Sequence, residues 1–357
     1  MTPIPLHHVY TYTDVDRAFW AEHLEDWVPR RIIDSHVHMA DPRFKIETIT
    51  EAMRRDYWVN ELSHAEDPDS AERNHAIVYP GREVSALAFT VPNLSWEIEG
   101  ANLDLMPRAH KKGWHTLAVV RPTWRGEQIA WWLDQPGCIG VKPYYSLIGY
   151  DALSRDRYIE ASIFDFLPHH QFEVLNERGA WVTMHVPKAD RLGHPDNIRE
   201  IQEIRTRYPR VKLVIAHLGR SYTLPHAQEG LAPLKDDPGL YFDNSAVLNP
   251  EVHRYALETI GPERIMYATD NPIFYMRGRR QWSGRTYTNR TSHDFYFNKV
   301  REAPEIEAQY TLYMYEALKA LKGACNDLGI GREQVEAMFY GTAARLIAEI
   351  ESGVSSA

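Results

Sequence analysis

Two histidines one residue apart, His36 and His38, follow an apolar run near the start of a chain of 357 residues. Alternate side chains of a β-strand point to the same face, so a strand would place both imidazoles side by side, with Asp34 on that face as well. A pair of imidazoles at the end of a strand can bind a divalent metal ion. Two surface histidines on an exposed strand would leave the same pattern, and so short a motif does not separate the two interpretations.

Four more side chains that can do chemistry follow later apolar runs. They are Lys142, His185, His217 and Asp270. Each has an ordinary explanation alone, because a single histidine at a strand end is usually structural and an aspartate there often caps a helix. Together with the first pair they offer imidazole nitrogens and a carboxylate, a donor set that suits a divalent ion such as Zn²⁺. A metal site follows only if the fold brings these strand ends together.

The elements that must position these residues alternate between short apolar runs and amphipathic segments. Strands are predicted at 31–38, 84–91, 115–121, 138–142, 180–186, 211–216, 240–244 and 264–269. Helices are predicted at 14–27, 46–63, 98–113, 126–134, 159–178, 196–208, 224–235, 250–260, 304–323 and 332–350. This alternation predicts a parallel sheet, and eight strands favour a (β/α)₈ TIM barrel of the α/β class over an open doubly wound sheet. Because TIM-barrel active sites lie at the carboxyl ends of the strands, we expect the candidate residues to meet at one mouth.

The chain is predicted to form a single domain over residues 1–357. Residues 1–30 are predicted to form an irregular N-terminal segment followed by a helix. Residues 39–83 are predicted to be an insertion after the first strand, and residues 271–300 a long loop after the eighth. Apart from the helix at 46–63, the insertion reads as polar and irregular. Long loops in compact domains are usually functional, so both segments are candidates for covering the mouth.

Composition excludes several classes of protein. A net charge of −9, from 40 basic and 49 acidic residues, disfavours a general nucleic-acid-binding surface. No apolar run approaches the length that spans a bilayer, and the first residues do not resemble a signal peptide. Two cysteines are too few for a disulfide framework. We therefore expect a cytoplasmic protein that acts on a small molecule, with neither nucleic acid nor membrane as partner.

Five short segments make the chain recognisable. They are 34–38, 184–186, 216–219, 268–272 and 340–346. In this order they resemble the amidohydrolase superfamily, and most of all its amidohydrolase-2 branch, which includes aminocarboxymuconate-semialdehyde decarboxylase, related aromatic-acid decarboxylases and hydratases, and hydrolases. The resemblance covers roughly residues 31–350. The chain departs from the branch at Asn271, where an aromatic residue is frequent, and at Thr342, where asparagine is frequent.

The resemblance implies one divalent metal ion, Zn²⁺ before Mn²⁺, and a set of ligands. By position the ligands are His36, His38, His185 and Asp270, and the acid/base residue beside the metal-bound water is His217. A metal lowers the pKa of bound water from about 15.7 toward 7, and an imidazole with a pKa near 6.5 can move that proton. Asp270 is thereby a catalytic candidate as well as a ligand, because it can also hold the water.

The sequence leaves two or more roles open for each of Asp34 and Lys142. Asp34 could accept a hydrogen bond from a ligand imidazole, or it could be a buried structural carboxylate. Some superfamily members use a modified lysine at the position of Lys142 to bridge two metals, but the branch is mostly mononuclear, which favours one metal here. Lys142 could instead meet a substrate carboxylate or pair with an acid of the barrel.

Substrate contacts are predicted from residues near the mouth. Arg121, Lys142 and Tyr144 follow the third and fourth strands, and Arg277 begins an arginine-rich stretch after the eighth. This stretch could clamp an anionic substrate, or it could be a solvated or subunit-contact loop. A homodimer is suggested only by the resemblance and by this stretch.

The sequence favours a metal-dependent hydrolase that uses a metal-activated water on a small, carboxylated substrate. Non-oxidative decarboxylation or hydration of an aromatic or unsaturated carboxylic acid is the alternative, because it uses the same ligands. A catalytically silent barrel that only binds a partner is the second alternative, and it predicts no bound metal.

Overall fold

The computed structural model describes residues 2–56, 58–62, 66–150 and 158–353. The predicted helix at 46–63 and the insertion at 39–83 therefore fall partly outside the described residues, as do the two ends of the predicted domain.

Eight parallel strands form the centre of the molecule and follow one another around a single sheet. They are β1 (Arg31–His38), β2 (Glu83–Phe89), β3 (His115–Val119), β4 (Cys138–Lys142), β5 (Trp181–Met184), β6 (Lys212–Ile215), β7 (Leu240–Asp243) and β8 (Ile265–Met266). Every residue of β4, β5 and β6 is buried, as expected for parallel strands covered on both faces. The predicted α/β TIM barrel is confirmed.

The sheet closes through the residues that follow β8. The backbone N–H of Ser35 donates to the carbonyl of Tyr267 at 3.1 Å, and the N–H of Asp270 donates to the carbonyl of His36 at 2.9 Å. Val37 and Asn271 form a parallel bridge further along. These contacts place Asp270 beside the carboxyl end of β1, although the two are far apart in sequence.

Helices pack around the sheet and connect its strands. The main helices of the described residues are Asp14–Phe19, Glu51–Asp56, Val59–Leu62, Pro68–Val78, Ile98–Lys111, Gly126–Leu133, Ile163–Phe166, His169–Arg178, Pro195–Arg207, Leu224–Leu231, Pro250–Thr259, Pro304–Glu307, Tyr313–Asp327, Arg332–Glu336 and Thr342–Glu351. None of the described helices is both long enough and apolar enough to cross a membrane.

The helix Pro68–Val78 corrects the prediction that the second half of the insertion is irregular. The Asp67 carboxylate caps its first turn by accepting hydrogen bonds from the backbone of Asp69 and Ser70. Ala71 is buried in a cluster with Val37 of β1. The helix is therefore the regular connection between β1 and β2, and its mostly polar sequence hid a narrow buried face.

The predicted loop after β8 contains an antiparallel hairpin. Its strands are β9 (Gly278–Ser283) and β10 (Thr286–Thr291), which pair Arg280 with Asn289. Gly284 makes the turn with a φ of 54°, a conformation that residues with a Cβ rarely adopt. A side chain of β9 reaches the segment after β7, so the hairpin leans over the mouth of the barrel.

Candidate metal centre

The carboxyl ends of several barrel strands contribute to one cavity of about 1030 Å³, including its open mouth. Its wall contains all five residues that the sequence nominated for metal binding and proton transfer: His36, His38, His185, His217 and Asp270. His36 and His38 come from β1, and the other three directly follow β5, β6 and β8 or lie a few residues beyond. The barrel therefore brings together side chains that are scattered over the sequence.

Three of these residues lie close enough to share one metal ion. The Nε2 atoms of His36 and His38 are 3.5 and 3.2 Å from Oδ1 of Asp270, and the three donor atoms form one compact group. Two ligands at about 2.1 Å from a tetrahedral ion would be about 3.4 Å apart, which matches both separations. His36, His38 and Asp270 can thus hold one divalent metal ion.

Hydrogen bonds on the far side of each imidazole turn the lone pairs toward Asp270. Nδ1 of His36 is 2.9 Å from Oδ2 of Asp243, and Nδ1 of His38 is 3.4 Å from the carbonyl oxygen of Thr90. Both neighbours are acceptors, so Nδ1 carries the proton in each ring and Nε2 is left as an acceptor. Nε2 and a carboxylate oxygen repel one another unless a cation lies between them, so the donor set fits a metal ion.

The protonation states of His36 and Asp270 are those that metal binding requires. Burial, together with the nearby Lys142 cation, lowers the pKa of His36 to about 3, so its ring is neutral at pH 7. Burial raises the pKa of the Asp270 carboxyl, but the neighbouring imidazoles of His38, His217 and His36 outweigh this and hold the pKa below its usual value. Metal binding needs this combination of neutral imidazoles and an ionised carboxylate.

A second network, which the sequence did not predict, joins His217 to the candidate ligand His36. Nδ1 of His217 is 2.8 Å from Oγ of Ser245, and the Ser245 hydroxyl donates to Asp243. Asp243 also accepts the backbone N–H of His217 at 2.9 Å and the ring N–H of His36. Since Ser245 gives its proton to Asp243, it must accept from His217, which leaves Nε2 of His217 as an acceptor. The position of Asp243 at the end of the predicted seventh strand was a signal that pointed to this role.

His217 and Asp270 both have strained backbones. Their φ angles are 57° and 66°, in the left-handed region that residues other than glycine rarely occupy. Such strain is often found at functional sites, where the surrounding structure holds the residue in place. Here the hydrogen bonds of Asp243 to the His217 backbone and of His36 to the Asp270 backbone provide that support.

Comparisons with known proteins agree with the fold. A family model described as amidohydrolase matches residues 33–348. The chain belongs to the amidohydrolase family. No curated protein matches its sequence.

Solved structures with the same fold are distant in sequence from this amidohydrolase. An amidohydrolase from Burkholderia multivorans with bound zinc is 14% identical, with a TM-score of 0.56, over 89% of this chain and 99% of that one. 5-Carboxyvanillate decarboxylase from Sphingomonas paucimobilis is 15% identical, with a TM-score of 0.51, over 90% and 99%. A dihydroxybenzoic acid decarboxylase from Polaromonas sp. JS666 with bound manganese and 2-nitroresorcinol is 13% identical, with a TM-score of 0.55, over 90% and 98%.

His185 lies in the same cavity of the amidohydrolase but outside the compact group of three. Its ring centroid is 5.2 Å from that of His217 and 4.7 Å from that of Tyr144. Its role as a fourth ligand stays a prediction.

Asp34 does not contact the imidazole ring of a ligand, which corrects one of its two predicted roles. Its carboxylate accepts hydrogen bonds from the hydroxyl and the backbone N–H of Thr269, at 2.5 and 3.0 Å, and from the backbone N–H of His36 at 3.3 Å. Burial raises the pKa of Asp34 to about 7 against these hydrogen bonds. Asp34 therefore ties β1 to the residue before Asp270, and Asp243 is the carboxylate that orients an imidazole.

The predicted substrate contacts fall into two groups. Lys142 and Tyr144 line the cavity, whereas Arg121 and Arg277 do not. The buried Arg277 guanidinium pairs with the buried carboxylate of Asp16 and donates to backbone carbonyls, so the prediction that it binds substrate is wrong. The charge pattern of 277–290 alone did not reveal which of its arginines faces the cavity.

Several further wall residues come from the two long segments that the sequence left unassigned. They are Ile49, Trp58, Val59 and Asn60 from the insertion, and Pro272, Ile273, Phe274 and Arg280 from the segment after β8. Trp96 after β2 and Tyr222 after β6 complete an aromatic enclosure. Residues from these segments thus form part of the wall in front of the metal ligands.

Proposed function

We propose that this amidohydrolase is a metal-dependent decarboxylase of a small aromatic or unsaturated carboxylic acid. The observation that carries the proposal is the wall of the cavity, which combines apolar and aromatic side chains with the buried cations Lys142 and Arg280. Flat rings bind well between aromatic side chains, and buried cations attract carboxylates.

Lys142 is suited to meet an anion. Its side chain is 1% exposed, and among the described residues its Nζ has no hydrogen-bond partner. The ammonium lies 5.1 Å from the ring centre of Phe89 and 6.0 Å from that of Tyr144. Burial lowers its pKa to about 8, against the attraction of Asp243 and Asp270, so it is still largely protonated at pH 7. A substrate carboxylate or phenolate would satisfy it.

The apolar wall favours loss of CO₂ because decarboxylation moves negative charge from a compact carboxylate into the rest of the substrate. Trp58, Trp96 and Phe274 line the cavity and exclude water from a bound carboxylate. The bond between the carboxylate carbon and the substrate breaks, its electron pair stays on the substrate carbon, and a proton replaces the departing CO₂. The likeness of fold to two decarboxylases supports this choice over hydrolysis.

Each residue of the site has a proposed task. His36, His38 and Asp270, with His185 as a fourth ligand, would hold one divalent ion, Zn²⁺ or Mn²⁺. When bound, such an ion would supply positive charge that orients the substrate and stabilises negative charge on its oxygen atoms. His217 relays a proton from water to the substrate carbon: Nε2 takes up the proton and then donates it, while Nδ1 keeps its own proton on Ser245. Asp270 is placed to assist that transfer beside His217.

Hydrolysis is the second candidate, and the state of His217 favours it. Burial lowers the pKa of His217, although Asp270 and Asp243 oppose the shift, so the ring is neutral at pH 7. A neutral imidazole with an accessible Nε2 can take a proton from water as a general base. The same residues would then add water to a carbonyl group.

Product analysis separates the two reactions. The metal-loaded enzyme is incubated in D₂O with 5-carboxyvanillate, 2,6-dihydroxybenzoate and unsaturated acids, with matched esters and lactones in a second series. Decarboxylation predicts release of CO₂ and one deuterium at the vacated carbon. Incorporation of oxygen from labelled water without CO₂ would instead establish hydrolysis. A silent barrel would turn over neither series, and His217→Ala would then change only stability.

A further inference from the structure

The hairpin after β8 turns one arginine into the cavity and its neighbour away from it. Adjacent residues of a strand point to opposite faces. Arg280 lines the cavity and is 5% exposed, whereas the side chain of Arg279 is 44% exposed and pairs with Glu302. The buried side of the hairpin therefore delivers a single guanidinium to the site.

Two hydrogen bonds fix the Arg280 guanidinium without neutralising it. Nε donates to Oδ1 of Asn289 at 2.9 Å, and Nη1 donates to the carbonyl oxygen of Ala246 at 2.8 Å. In the described part of the chain Nη2 has no acceptor. The guanidinium lies 4.4 Å from the ring centre of Tyr287 and 5.3 Å from that of Tyr222. The group is thus oriented in advance with one donor edge unused.

The surroundings of Arg280 are cationic. The Arg191 guanidinium also lies against the ring of Tyr222. Among the described residues, no carboxylate lies within 4.0 Å of Arg191, Arg220 or Arg280. Burial lowers the pKa of Arg191, and the charges of Arg220 and Arg280 lower it further, although Tyr222 and Tyr287 oppose them. Other arginines of the segment after β8 differ, because each forms an ion pair with an acidic side chain. They are Arg277, Arg279, Arg285 and Arg301.

A buried cation without an anion is costly, and the fold retains one at the wall of the cavity. We propose that Arg280 binds the carboxylate of the substrate and selects acids over neutral molecules of the same shape. The proposal rests on the proposed function insofar as the substrate is an acid. The ring of Tyr222 lies near both groups, with its centre 5.3 Å from the Arg280 guanidinium and 6.3 Å from the ring centroid of His217.

Calorimetric binding of non-reacting pairs tests this assignment without turnover. Benzoate is compared with benzamide, and crotonate with crotonamide, on the metal-loaded wild type and on Arg280→Met, Arg280→Lys and Arg279→Met. We expect the wild type and Arg279→Met to bind each acid at least about tenfold more tightly than its amide. Arg280→Met should lose most of this preference while amide affinity changes less than about twofold, and Arg280→Lys should keep more of it.

Three results would overturn the proposal. The first is a wild type that does not bind acids more tightly than amides, and the second is an Arg280→Met variant that keeps the full preference. The third is an Arg280→Met variant in which acid and amide binding fall equally, because Arg280 would then only shape the cavity. If acids are preferred through Arg280 but no CO₂ is released from any acid, the proposed reaction fails and the anion site stands.

Discussion

At the scale of single residues, the site depends on which atom of each side chain is left free. Asp243 fixes the His36 ring through Nδ1 and fixes the His217 ring through Ser245. One carboxylate thereby sets the tautomer of a proposed metal ligand and that of the proposed proton-transfer residue. A direct ligand and such a supporting residue should differ in how strongly they affect metal binding.

Substitutions of three aspartates test this difference. We expect Asp270→Asn to weaken metal binding by more than about a hundredfold, because it removes a charged donor. Asp243→Asn should weaken binding by about ten- to a hundredfold, because it only loosens His36. The exposed Asp236→Asn is the control and should bind as the wild type. Competition with a chelating dye measures all three affinities, and equal losses for Asp270→Asn and Asp236→Asn would contradict the ligand assignment.

Ser245→Ala tests the support of His217. The variant removes the closer of two acceptors for Nδ1 of His217 and leaves only the Ser245 carbonyl oxygen at 3.3 Å, so the ring is held less firmly and can rotate. We expect kcat to fall about ten- to a hundredfold with little change in KM, as for the loss of an orienting hydrogen bond. Ser245→Thr keeps a hydroxyl and should recover part of the rate. A loss confined to KM would show that Ser245 acts on substrate binding instead.

At the scale of elements, the arginines of the segment after β8 divide between a buried ion pair and the wall of the cavity. Arg277 joins the start of the hairpin to the N-terminal helix through Asp16, whose carboxylate also accepts from Thr311 and from Thr13. This buried pair links three segments that meet beside the barrel. Arg277 is therefore an anchor, whereas Arg280 faces the cavity.

The buried ion pair of Arg277 with Asp16 should contribute measurably to the free energy of unfolding. We expect Arg277→Met to lower the free energy of unfolding by about 3–5 kcal/mol, because it leaves the Asp16 carboxylate buried without its partner. Arg279→Met removes an exposed pair with Glu302 and should cost at most about 1 kcal/mol. Urea denaturation of both variants measures the difference. Equal costs would mean that the Asp16 pair contributes no more than a surface pair.

At the scale of the whole molecule, burial of neutral histidines links stability to pH. His75 and His253 are fully buried, and burial lowers the pKa of each to about 4 from an ordinary value near 6.5. Between these values the unfolded chain binds protons that the folded protein does not. The stability that these residues contribute is therefore present above pH 6.5 and is lost as the pH falls toward 4.

Replacing one such histidine should flatten this dependence. We expect the free energy of unfolding to fall by about 1.4 kcal/mol per pH unit for each buried histidine in this window. His75 packs against Trp114 and Tyr79, so His75→Phe should keep the packing and reduce the slope. Denaturation at several pH values with a chelator present measures both slopes without interference from the metal. Identical slopes would show that His75 does not contribute.

The sequence by itself determined the barrel and most of the residues at its mouth. Strand periodicity and apolar runs are local properties, so β1 was predicted with its observed bounds, and His36, His38 and Asp270 were placed where strands end. The helix Pro68–Val78 escaped prediction because its buried face is narrow, and only packing against β1 reveals it.

The tertiary structure alone decided how side chains pair across the chain. Asp243 reaches His36 over 207 positions, and Arg280 reaches the carbonyl of Ala246 over 34. Such contacts depend on barrel closure and on how a hairpin lies over the mouth, and neither leaves a periodic trace in the sequence. For this reason the pattern identified an arginine-rich stretch but selected Arg277, whereas the fold buries Arg277 against Asp16 and turns Arg280 toward the metal site.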